Sequence, residues 1–382
     1  MGLKEFFRKI HLAQILTACL VLLASIAKSG KILDTDIFWQ ARAGIDWFSN
    51  YKIIDIDHWS YLPVGNWIPN SWGWNIVLGL LYKCSPDFGL FLGGTLLNLF
   101  LFTLLIYLAR KMDAEWESIN LCLIFIIIFA LPIFAIRPAY FSGLIAFVIL
   151  IFTDKIIDLI KRFPIKTNFV FLFLNIAMVN FHYSWPAFLL AALLGMIYFF
   201  LSIHNNTSIN YNNYIIFLVV AIGGLVLNPI GVNLIDHIYY TVVISKNTIY
   251  EWQSIGKDPI YFISLSLALL PIWFLRFNSQ LKTWIGAVIV FSLMSLYAIR
   301  FVPWALIFSF PLLVLFFNKI PQNLLWQNGK KLSINLITFI LVLFLIPFSY
   351  EGIRFHGRTI NEEIIKKIAT KLSIICLSTF FR

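Results

Sequence analysis

The sequence predicts an all-α polytopic membrane protein with about 11 transmembrane helices and two interfacial helices in its first external loop. Three observations carry that prediction. First, 60% of the 382 residues are hydrophobic and only 12% are charged, where a soluble domain carries about 25% charged residues. Second, apolar runs recur along the whole chain, each about long enough to cross a hydrocarbon core of ~30 Å. Third, the basic residues gather in alternate gaps between those runs, as the positive-inside rule demands of a polytopic chain. The net charge of +11 is therefore read against membrane topology rather than nucleic acid. The four cysteines, Cys19, Cys84, Cys122 and Cys376, are scattered without paired spacing. They read as packing residues, neither a metal site nor a disulfide framework.

Span one covers roughly residues 10–28. Lys4, Arg8 and Lys9 precede it as in a signal peptide, but no small-residue cleavage site follows cleanly, and it reads as a retained helix. Asp34–Asn75 comes next, the longest polar interval before residue 228, with five aspartates and six of the thirteen tryptophans. Within it, residues 34–49 predict a helix capped by Asp34 or Thr35. Ile37, Ala41, Gly44, Ile45 and Phe48 share one of its faces, while Trp39 and Trp47 suit the headgroup level. Pro63, Gly65 and Pro69 mark 55–70 as loop. Residues 71–83 predict a second helix, too short to span alone, followed by a turn at 84–89. Further spans are expected at 89–109, 118–136, 138–153, 167–183, 185–203, 214–228, 259–275, 284–299, 301–317 and 332–349. The transmembrane domain is thus 1–349, with a second large external loop at 228–258 and a short external tail at 350–382.

Alternating these spans places the N-terminus on the same side as Arg110–Lys111, Lys155–Lys166, Arg276–Lys282 and Lys319–Lys331. That side holds fourteen basic residues against six acidic ones, while the opposite side, excluding the tail, holds nine of each. The N-terminus is therefore expected in the cytoplasm. The unusual polar residues then collect outside: the Asp34–Asn75 loop, Arg137, His182, the 228–258 loop and Arg300. No Walker-type loop and no G-x-G-x-x-G occurs. Chemistry on that face lacks ATP and nucleotide sugars, so its donor must be membrane-borne or external.

Each candidate residue has two readings. Asp34 and Asp36 stand just beyond a membrane end, where carboxylates are costly and are functional candidates by default. Either can take a proton from an acceptor hydroxyl or hold a divalent cation against a phosphate; the plainer reading is a helix cap. Asp55, Asp57 and His58 can ligate a cation in a sharply turned loop, or form a solvated turn. Arg137–Pro138 and Arg300–Pro303 each pair an arginine with a proline suited to the first helical turn. Arginine there can clamp a phosphate or reach to a lipid headgroup. His182 is a base, a ligand or an interfacial histidine bonded to a carbonyl. Asn228 and Glu251 bound the second external loop, as site residues or as caps.

Taken in order, several of these segments resemble bacterial multi-pass glycosyltransferases of the GT-C type. The matching pieces are Asp34–Gln40 (DTDIFWQ), Asp55–Ser60 (DIDHWS), Trp67–Trp74, Arg137–Pro138 with Phe141–Ser142, Asn180–His182, Leu227–Gly231 and Glu251–Trp252. The resemblance implies a polyprenyl-phosphate sugar donor and chemistry at the outer membrane face. It implies acidic residues after span one, here Asp34 and Asp36, and basic residues for the donor phosphate, by position Arg137 and Arg300. The chain departs from that pattern in having only 33 residues after the last span. It departs again at His182-Tyr183-Ser184, where small residues are expected after the histidine.

The reading that follows is an inverting glycosyl transfer from a polyprenyl-phosphate donor to an external glycan, lipid or protein acceptor, in a bacterial inner membrane. The one cofactor this reading allows is a divalent cation. The alternatives are a non-enzymatic lipid-linked glycan carrier or assembly scaffold, and a glycan polymerase or ligase resting on external arginines and histidine. A transporter would carry charges at mid-membrane, whereas here they stand at span ends.

Overall fold

The computed structural model describes residues 12–29, 36–53, 71–130, 136–203, 211–228, 231–239, 243, 252–274, 279–319 and 327–357. Among them no β-strand occurs, and, besides a short helical stretch at 234–239, fourteen α-helices account for most of the chain. In order they are α1 (Leu12–Ser29), α2 (Asp36–Asn50), α3 (Trp72–Cys84), α4 (Pro86–Lys111), α5 (Trp116–Phe129), α6 (Pro138–Ile151), α7 (Thr153–Arg162), α8 (Pro164–Phe181), α9 (Trp185–Ile203), α10 (Tyr211–Gly223), α11 (Pro259–Phe274), α12 (Ser279–Tyr297), α13 (Val302–Lys319) and α14 (Gln327–Gly357). Among the described residues four stretches are long and apolar enough to cross a bilayer: α1, α4, α8 and Ile299–Lys319. Seven shorter apolar helices accompany them.

Proline sets several of the starts. Pro86, Pro138 and Pro164 each occupy the first turn of a helix, where the missing N–H costs nothing and φ is already helical. The turn expected at 84–89 is therefore shorter than the sequence suggests, because α4 begins at Pro86. At the far end α14 continues to Gly357, so residues 350–357 belong to a helix rather than to the tail.

The basic segment expected as a cytoplasmic loop, Lys155–Lys166, holds α7. Thr153, Ile157 and Ile160 are buried along one stripe, while Asp158 and Arg162 pair at 2.8 Å on the exposed face. Such a short, strongly two-faced helix suits the plane of an interface.

The centre of the bundle is α13, buried throughout Val302–Val314. Its Trp304 and Phe308 pack with Phe291, Phe188 and Phe147 of the surrounding helices. Tilted and edge-to-face aromatic pairs of this kind add about 0.5–1.5 kcal/mol each beyond their buried area. Opposite in character is α8, whose Phe169, Val170 and Phe173 are 57–66% exposed. In water that stripe would be costly; against lipid tails it is the expected outer face. Buried polar residues pair locally, as where Thr17 Oγ1 donates to Asn120 Oδ1 at 2.6 Å between α1 and α5.

The bundle has two distinct ends. At one, the Trp72 indole N–H donates to Asn180 Oδ1 (2.8 Å), Asn180 Nδ2 donates to Leu227 O (3.0 Å), and Ile299 N donates to Gln253 O (2.9 Å). At the other, Arg110 lies over Trp116 and Glu115 N donates to Asn318 Oδ1 (3.0 Å). These are called the Trp72 end and the Lys111 end below.

Candidate functional site

The Trp72 end is built on the hairpin of α2 and α3. Its helices approach so closely that a Cβ at Gly44 would stand 1.8 Å from Asn75 O, so only glycine fits there. Ile37 and Ala41 of α2 and Trp74 and Leu78 of α3 bury against Leu90 of α4 and Ile136. From this cluster an aromatic ladder leads outward. Trp74 stacks on Phe141 (5.9 Å) and Phe141 on Phe181 (5.3 Å). The ladder ties together three candidate segments: Asp36 precedes Ile37, Arg137 follows Ile136, and His182 follows Phe181. The expected buried face of α2 is observed for Ile37, Ala41 and Gly44, while Ile45 and Phe48 are half-buried.

Asp36 is the exposed first residue of α2 and accepts a hydrogen bond from Trp39 Nε1 at 3.1 Å. A carboxylate at that position also meets the positive end of the helix dipole. Arg137 holds the N-cap position of α6 in extended conformation, half-buried, with its carbonyl accepting from Tyr140 N at 3.0 Å. Asp34, Asp55, Asp57, His58 and Glu251 lie outside the described residues. Among the described residues no group of three or more His, Cys, Asp or Glu side chains could hold a metal ion.

The second grouping forms around Arg300. Its guanidinium lies over the Trp252 ring, 4.3 Å from the centroid, within reach of a cation–π attraction. Trp252 is fixed in turn edge-to-face on Phe301. His182 caps the C-terminus of α8 and is hydrogen-bonded through Nδ1 to the Ser184 hydroxyl. Burial, and secondly the positive charge of Arg300, pushes the His182 imidazole down to about 3. It is therefore neutral at physiological pH, a hydrogen-bonding group beside a fixed cation rather than a second cation. Tyr183, raised to about 12 by burial, stands edge-to-face on His237 at 5.7 Å.

Asn228 has a local task. Its Nδ2 donates to Leu225 O (2.8 Å) and Gly231 O (3.4 Å), and its Oδ1 accepts from Gly231 N (3.1 Å). Gly231 has φ +62°, the left-handed conformation that glycine adopts without penalty. Asn228 and Gly231 are thus tied to each other, and Asn180 hangs on Leu227 just before them.

Two features escaped sequence reasoning. Lys28, half-buried in the last turn of α1, neighbours Ser29. A Cβ at Gly94 would meet both Ser29 Oγ (3.1 Å) and Ile136 Cβ (3.7 Å), so Lys28 and Arg137 flank one junction. A basic residue in a final helical turn was the available signal. The other is the pair of Trp74 Nε1 and Tyr183 OH, buried donors without a hydrogen-bond partner among the described residues.

The end thus offers an exposed carboxylate, cations on aromatic and helical supports, and a neutral imidazole. Chemically that combination can hold an anion and accept a proton nearby. No protein-family model matches the sequence, and no curated protein is significantly similar to it.

Proposed function

We propose that the chain is an integral membrane glycosyltransferase of GT-C type, working at the external face on a polyprenyl-phosphate-linked sugar. The observation that carries this reading is the ladder Trp74–Phe141–Phe181, which gathers the Asp36, Arg137 and His182 segments at one end. The four long and seven shorter apolar helices support eleven spans, with the N-terminus cytoplasmic by the basic-residue bias. The Trp72 end then faces outward, in a bacterial inner membrane.

In this reading Arg300 and Arg137 hold the donor phosphate, where planar bidentate contacts favour arginine. The acceptor hydroxyl oxygen attacks the anomeric carbon as its proton passes to Asp34 or Asp36. The bond from the anomeric carbon to the phosphate oxygen breaks, and polyprenyl phosphate leaves carrying the electron pair. Attack opposite the leaving phosphate inverts the anomeric centre. The arginines compensate the charge that grows on the departing phosphate.

The test is transfer from a synthetic polyprenyl-phosphate sugar by the purified protein in lipid. Turnover by the wild type that disappears in the double variant Asp34→Asn/Asp36→Asn supports the enzyme. Equal turnover by a normally folded double variant places the base elsewhere, and no turnover by the wild type leaves the carrier or scaffold as the better account.

A further inference from the structure

The Lys111 end carries a cleft of about 260 Å³, close to the lower bound of small-ligand sites. It lies where α4 ends, α7 begins and α12 begins, which in a membrane is headgroup depth. Lys111, Asp113 and Asp154 line it, and none has an ion-pair partner within 4 Å among the described residues. Thr283 and Trp284 line it from within. They are 2% and 4% exposed, and neither side chain has a hydrogen-bond partner among the described residues. Residues this buried normally have their donors satisfied, and both border a space large enough for a ligand. Phe199 adds apolar wall.

We propose that this cleft binds the headgroup of an aminophospholipid. The chemistry divides cleanly. Lys111, the Thr283 hydroxyl and the Trp284 indole N–H are donors, suited to phosphate oxygens. Asp113 and Asp154 are acceptors, suited to an ammonium that carries N–H bonds. With two carboxylates to one ammonium, the lining disfavours a phosphatidylglycerol-type anion. A quaternary choline head lacks N–H donors and is recognised by open aromatic faces. The Trp284 ring does not offer a free cage, because it packs on Phe147 (4.8 Å) and Phe308 (6.5 Å). The inference requires insertion in a membrane and is independent of glycosyl transfer at the other end.

The experiment uses the full chain, purified in detergent and stripped of lipid, titrated with phosphatidylethanolamine, phosphatidylcholine or phosphatidylglycerol while thermal unfolding is followed. The wild type is expected to bind phosphatidylethanolamine about tenfold more tightly than the other two, the effect of one charge-assisted hydrogen bond. Asp113→Asn and Asp154→Asn should each reduce that preference, and Thr283→Val should weaken all three lipids together. Both aspartates are exposed, and Asp113 has φ 56°, a conformation asparagine tolerates well, so the folded state survives the exchange. Equal binding of the three lipids to the wild type overturns the proposal. So does a preference that persists in both asparagine variants. Should a variant melt early without lipid, the wild-type comparison alone decides.

Discussion

The two ends of the bundle hold some of their charged residues in different ways. At the Lys111 end, Asp158 and Arg162 pair within one helical turn with side chains 47% and 67% exposed. Such an exposed i,i+4 pair contributes about 0.3–0.5 kcal/mol and is screened by salt. At the Trp72 end, Arg300 is half-buried on a tryptophan that is itself braced on Phe301, and His182 is desolvated beside it. Keeping those groups from water costs free energy that a solvated charge would not. The difference teaches that charge position alone is a poor guide to function; what matters is whether aromatic and backbone groups fix the charge in one orientation. By that criterion Arg110 at the Lys111 end, over Trp116 and donating to Ala114 O at 2.7 Å, is fixed as well; what sets the Trp72 end apart is the imidazole held beside its braced arginine.

The comparison is broken most sharply by Asp36→Asn. Asparagine keeps the acceptor for Trp39 Nε1 and still begins the helix well, so abundance and melting should hold. If Asp36 is the base, glycosyl transfer should fall by about 10²–10⁴-fold. An undiminished rate moves that role to Asp34.

Next in size is the hairpin. Gly44→Ala drives a methyl group into Asn75 O, and overpacking of this kind costs about 1–3 kcal/mol, occasionally more. Gly223→Ala is the control, since nothing lies within 4 Å of a Cβ there. Melting in detergent should drop for the first and hold or rise for the second, by up to ~1 kcal/mol in the helix-favouring direction. Equal melting of the two would mean that α2 and α3 do not meet at Gly44.

A smaller effect is expected at Arg300. Arg300→Lys keeps the charge but loses the planar face over Trp252, and Trp252→Ala removes the platform. A cation–π contact is worth about 0.5–2 kcal/mol, which, if Arg300 holds a phosphate-bearing donor, is roughly 2–30-fold in its affinity. Both substitutions should therefore weaken binding to similar extents and be less than additive when combined. Strict additivity would show that the two side chains act separately.

Acid titration tests the same corner differently. The His182 imidazole, ordinarily near 6.5, is held to about 3 by burial and then by Arg300. Between those values the unfolded chain binds a proton that the folded one refuses, so stability is full above 6.5 and falls as pH drops toward 3. His182→Asn should flatten that slope in melting experiments run across the interval. An unchanged slope assigns the acid sensitivity to another group.

Much of this architecture is legible from apolar run length and proline. Residues 185–203 and 259–274 need nothing more, and α6 begins at Pro138 as expected. What sequence reading misses has a common cause. In α7 the charges of Lys155, Asp158, Lys161 and Arg162 mask a buried stripe of Thr153, Ile157 and Ile160. A test for helical period would reveal it, because hydropathy averaged over the segment does not. Within the site, Asp36, Arg137, His182 and Arg300 are recognisable one at a time from their places at span ends. Their supports are not. Trp252 under Arg300, Asn180 against Trp72, and the Phe141–Phe181 stack join residues far apart in sequence through packing.

The smallest expected effect belongs to the other end and completes the comparison. Arg162→Ala removes the partner of Asp158 and one cation of α7. Both side chains are largely hydrated already, so the loss leaves no buried charge unpaired, the situation in which such deletions become costly. The helix loses a good helix former but gains a better one, which offsets part of the lost pair. Melting should shift by less than about 0.5 kcal/mol, and, if the chain transfers a glycosyl group at the Trp72 end, that transfer should be unchanged. Raising salt should erase even that difference, since exposed pairs are screened over about 8–10 Å. A loss of transfer as large as that from Arg300→Lys would instead mean that α7 is coupled to the distant end. The contrast between the solvated pair of α7 and the braced Arg300 would then no longer set the Trp72 end apart.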